Sequence, residues 1–125
     1  MKKTIVICTM FFILVMSCTY YPALIRISIK VVDEGEEPIM GISCIMARNG
    51  EQLHCATTDN MGVCILETRK EYNDRYVDDE VFISQLVITF IDNDGAANGG
   101  EFENFVYYCK QSDVLNEVKV SLRKK

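Results

Sequence analysis

The chain has 125 residues with 13 basic and 18 acidic side chains, a net charge of −5 and a single histidine. That length holds one domain rather than two. The acidic balance, with no basic stripe, argues against nucleic-acid binding, which depends on lysine and arginine neutralising phosphates.

Lys2 and Lys3 open the chain, and Thr4 to Met16 follow as an uncharged, mostly apolar run of thirteen residues. Such a run is too short to cross a hydrocarbon layer of about 30 Å as a helix. It suits the apolar stretch of a secretory signal. It ends in Val15-Met16-Ser17-Cys18, which resembles the bacterial lipobox: an aliphatic residue at −3, a small residue at −1, then cysteine. The resemblance implies cleavage before Cys18 and a lipid on its sulfur, since a thiolate is the nucleophile that accepts the diacylglycerol. Thr19 is not the aspartate that retains lipoproteins in the inner membrane. The implied address is the outer membrane of a Gram-negative envelope, with the protein facing the periplasm. The expected division is a signal peptide over 1–17, a lipidated tether over 18–24 and one domain over 25–123. Without the first seventeen residues the chain has 108 residues and a net charge of −7. No second stretch of eighteen or more apolar residues follows.

The domain reads as strands separated by turns. Ile25, Ile27, Ile29 and Val31 alternate with Arg26, Ser28 and Lys30, one face buried and one wet. Asp33 to Pro38 is a turn, and Ile42, Cys44 and Met46 alternate again. Asn49-Gly50 signals a hairpin that Leu53 to Thr57 completes. Asp59 to Gly62 turns into a strand over Val63 to Leu66. Arg69 to Val81 is polar, a long loop or short helix. Leu86 to Ile91 is a continuous apolar run suited to a central strand. A loop over Asp92 to Gly100 leads to an aromatic, strand-like segment over Phe102 to Cys109. Val114, Val118, Val120 and Leu122 suggest a last strand, with Glu117, Lys119 and Ser121 facing water. About seven short strands without a helix of normal length predict an all-β fold, a small antiparallel β-sandwich.

Four cysteines remain for the domain: Cys44, Cys55, Cys64 and Cys109. They allow three disulfide pairings, and the sequence does not choose among them. Their spacings of 11, 9 and 45 residues do not favour zinc, which takes close pairs.

Val32-Asp33-Glu34-Gly35-Glu36-Glu37-Pro38-Ile39-Met40-Gly41-Ile42 resembles the opening of carboxypeptidase regulatory-like and transthyretin-like domains, with one extra residue between Gly35 and Pro38. Thr58-Asp59-Asn60-Met61-Gly62-Val63 is similar to a second element of the same modules. Both imply fold rather than activity. Val87 to Phe102 resembles the V-x-F-x-D-x-D-G-x-x-N-G-G-x-F signature of small lipoproteins encoded beside a radical SAM enzyme, the radical SAM/lipoprotein system. That resemblance spans nearly the whole chain. It implies a radical SAM enzyme as partner, with the lipoprotein as its substrate or as a partner-binding module.

Asp92, Asp94, Asn98 and Glu101 place four oxygen-bearing side chains within ten residues. Calcium takes about six to eight oxygens from such loops. The spacing is not that of an EF-hand, and a loop of tight Asp, Asn and Gly turns is the preferred reading. Calcium is the cofactor such a loop would take. His54 is the sole histidine, whereas the transthyretin-like hydrolases use several and end Tyr-Arg-Gly-Ser. This chain ends Leu122-Arg123-Lys124-Lys125, so no catalytic residue and no enzyme is expected. Phe105, Tyr107 and Tyr108 are read as core and cross-strand partners. The function readings rank as an anchored non-enzymatic module, then a calcium-dependent binding or adhesion module, then a small hydrolase.

Overall fold

A computed structural model describes residues 22–93 and 100–125. The signal, the lipobox with Cys18, and Asp94 and Asn98 lie outside the described residues. Seven strands form: β1 (Leu24–Val32), β2 (Ile42–Arg48), β3 (Glu51–Thr57), β4 (Val63–Arg69), β5 (Leu86–Asp92), β6 (Phe105–Tyr108) and β7 (Val118–Ser121). They make a three-stranded sheet, β4-β1-β7, and a four-stranded sheet, β3-β2-β5-β6. The expected all-β sandwich is the observed fold. One pairing departs from it, because β7 runs parallel to β1. The chain reaches β7 only after completing the opposite sheet, so the pair needs no hairpin.

The alternation of β1 holds. Ile25, Ile27, Ile29 and Val31 are buried, while Arg26, Ser28 and Lys30 face outward opposite Glu67, Ile65 and Val63. From the other sheet, Ile42, Cys44, Met46, Leu86, Ile88 and Phe90 are fully buried against them. Phe82, Phe102 and Leu122 close the ends of this single core.

Turn chemistry fixes the register. Asn49 and Gly50 take φ of 52° and 82°, the left-handed pair that a two-residue hairpin requires. Asp33 Oδ1 accepts from the N–H groups of Gly35 and Glu37 at 2.8 and 3.0 Å. Asp59 Oδ1 accepts from Met61 and Val63 at 2.9 and 3.0 Å. The two motifs that resemble the regulatory domains share this aspartate-led turn, and Thr58 joins them. Its buried hydroxyl donates to Ile39 O at 2.7 Å and accepts from Ile42 N at 3.0 Å.

The polar stretch after β4 holds a 3-10 turn at Tyr72–Asp74 and α1 (Asp79–Ser84). Phe82 and Ile83 of α1 enter the core. Arg48 stacks over the Phe82 ring at 4.4 Å. It also donates to Gln85 Oε1 and Asp74 Oδ2, both at 2.8 Å. The strand expected over Phe102 to Cys109 is shorter. Phe102 forms a bridge to Lys124, and Glu103 N donates to Arg123 O at 2.8 Å. That segment follows the C-terminus before entering β6. Val114 sits in a 3-10 turn, Gln111–Val114, rather than in the last strand.

Candidate functional site: the outer face of the four-stranded sheet

The two sheets present unlike faces to solvent. On the three-stranded sheet the outward positions include Arg26, Lys30, Glu67 and Lys119, with an Arg26–Glu67 ion pair at 2.7 Å. On the four-stranded sheet the outward rows are Cys55-Ile45-Thr89-Val106 and Gln52-Ala47-Val87-Tyr108, with Thr57-Ser43-Ile91 beside them. These side chains point away from the core because their strand neighbours Cys44, Met46, Ile88 and Phe90 point into it. Among the described residues, no charged side chain occupies these rows.

The residues responsible are legible in the strands. Ile42 to Ala47 and Leu86 to Ile91 are almost continuously apolar, the pattern of strands covered on both faces. Among the described residues only the inner cover is present. Val106 and Tyr108 remain 44 % and 72 % exposed at the edge of the face. Tyr108 therefore departs from the expected core role. Phe105 lies on the inner side against Phe90, with ring centroids 6.2 Å apart, but at 41 % exposure it too falls short of the expected core role. Tyr107 also lies on the inner side, opposite Ile88, and donates to both carboxylate oxygens of buried Asp113 at 2.9 Å. Burial first, then that hydrogen bond, pushes the Tyr107 phenol up to about 12. Burial and the nearby Asp113 carboxylate push the Cys109 thiol likewise to about 12.

The four cysteines separate by position. Cys44 and Cys64 meet between the sheets with sulfurs 2.9 Å apart. Cys55 is exposed and Cys109 buried. Directly opposite Ile45, Cys55 lies on the far side of its sheet from Cys44.

His54 has a structural task. Its Nδ1 accepts from the Glu67 N–H at 2.9 Å, tying the edge of β3 to the edge of β4. A polar cleft of about 390 Å³ includes Arg48, Glu51, Leu53, Arg69, Glu71 and Asp74 in its lining, without His54.

Of the four calcium candidates, Asp92 and Glu101 are described. Asp92 Oδ2 accepts from Phe102 N at 3.0 Å and closes the neck of the loop. Glu101 is exposed. Among the described residues no group of three or more His, Cys, Asp or Glu side chains is arranged to hold a metal. If the loop takes calcium, millimolar calcium raises the melting temperature; an unchanged transition removes that reading. No helix among the described residues is long and apolar enough to cross a membrane.

No protein-family model matches the chain, and no curated protein matches it at a significant level.

Proposed function

We propose that this protein is a non-enzymatic binding module, held by lipid on Cys18 at the periplasmic face of an outer membrane. It engages a protein partner through the uncharged outer face of its four-stranded sheet. The observation that carries the reading is that face: two apolar strands, β2 and β5, flanked by exposed Val106 and Tyr108. An uncharged surface of this kind reads as an interaction site. A protein partner suits it better than a lipid surface, because among the described residues no lysine or arginine stands within the rows to meet anionic headgroups. Thr89 within the face, and Tyr108 and Gln52 at its margin, offer hydroxyl and amide groups for hydrogen bonds.

The resemblance of Val87 to Phe102 to the radical SAM-associated lipoproteins supports that enzyme as the partner, with this chain as its substrate or its docking module. The test is binding of the full chain to the purified enzyme, with Thr89→Lys and Val106→Lys as variants whose folding is checked by circular dichroism. A lysine desolvated within the face lowers affinity at least about tenfold. Unchanged binding by the folded variants overturns the surface, and no binding by the wild-type chain overturns the partner. An added mass on the chain after incubation with active enzyme separates substrate from docking module.

A further inference from the structure

Cys44 lies on β2 and Cys64 on β4, so the two belong to different sheets and face each other across the core. Both are buried, at 0 % and 4 % exposure. The Cys64 thiol donates to Cys44 Sγ at 2.9 Å, and the Cys44 thiol donates onward to Ile42 O at 3.7 Å. A disulfide needs its sulfurs at about 2.05 Å, so less than 1 Å of approach separates this pair from a bond. The hydrogen bond with Cys64, and then burial, hold the Cys44 thiol well above the ordinary range. Cys55 is screened from Cys64 by its own sheet.

We propose that Cys44 and Cys64 form an inter-sheet disulfide in the exported protein, and that Cys55 and Cys109 stay as thiols. The two thiols give up two protons and two electrons. The electrons pass to an acceptor disulfide, small-molecule or carried by an oxidoreductase, which leaves as two thiols. One cysteine first attacks the acceptor to give a mixed disulfide, and the second displaces it. Exchange runs before the sandwich closes, because in the closed form neither sulfur is accessible and Cys44 resists becoming the thiolate that must attack. Once folded, the same burial shields the bond from reductants. The crosslink ties β2 of one sheet to β4 of the other within the core and constrains the unfolded chain.

The test uses the full chain, purified from an exporting host or refolded with oxidised glutathione, then alkylated without reduction and cut after Lys and Arg. Cys44 falls in peptide 31–48, while Cys55 and Cys64 share peptide 49–69. The expected result is these two peptides linked, about 2 Da lighter than their sum. The link persists in Cys55→Ser, whose exposed site tolerates the change. The oxidised form melts on the order of 10 °C above the reduced form. Alkylated Cys44 and Cys64 after oxidising refolding, loss of the link in Cys55→Ser, or a link to the peptide holding Cys109 each overturns the proposal.

Discussion

Thr58 is a single hydroxyl on which two turns depend. It satisfies Ile39 O and Ile42 N where both are screened from water, so Thr58→Val keeps the shape and leaves two buried groups unpaired. The expected loss is about 2–3 kcal/mol, read as a fall in the urea midpoint without a change in slope. Gly62 carries a different constraint. Its φ is +75°, and a Cβ there falls 2.5 Å from Val31 O. Gly62→Ala is expected to lose more than about 2 kcal/mol, because neither the backbone oxygen nor the left-handed turn gives way. Both positions stand out in the sequence as parts of a turn motif. The sequence conveys the turn but not its partner, since Thr58 acts on residues that only folding brings near. His54 shows the same limit: one histidine in a strand is visible, whereas its bond to Glu67 N depends on two sheet edges meeting.

Local patterns predict the strands, because alternation and turn residues report which face is buried within one segment. The parallel pairing of β7 with β1 joins segments nearly ninety residues apart, and no local pattern encodes it. The segment between β4 and β5 is seated by Phe82 and Ile83 in the core and held from outside by Arg48. Removing that side chain in Arg48→Ala breaks the links to Asp74, Gln85 and Phe82 together. Local stability of the Tyr72–Gln85 segment falls by about 2 kcal/mol. Amide exchange at Phe82 and Gln85 then accelerates about thirtyfold, while β1 changes less. The turn after β6 gives a pH prediction. Cys109 and Tyr107 ionise at 9.0 and 10.0 when free and at about 12 in the folded chain. The folded state therefore keeps protons that the unfolded chain releases. Their contribution is complete below about pH 9 and is lost as pH rises towards 12. Urea midpoints measured across that window should fall, and Tyr107→Phe should flatten part of the slope.

At the scale of the molecule, the two faces of the sandwich divide the work. The charged face, with its Arg26–Glu67 pair, is suited to water. The uncharged face, built on β2 and β5, is suited to a partner. Its signal was present as two apolar runs, and one run alone reads as a central strand. Only the sheet order shows that, among the described residues, both runs lack an outer cover. Cys55 sits in this face with an exposed thiol and serves as a native reporter of whether the face is covered. The most direct measurement is the rate of maleimide labelling at Cys55 in isolated native membranes, compared with the purified protein. A covered face slows labelling in the membrane at least about tenfold, and Val106→Lys restores the faster rate. Equal rates in the two preparations would contradict a partner bound on this face.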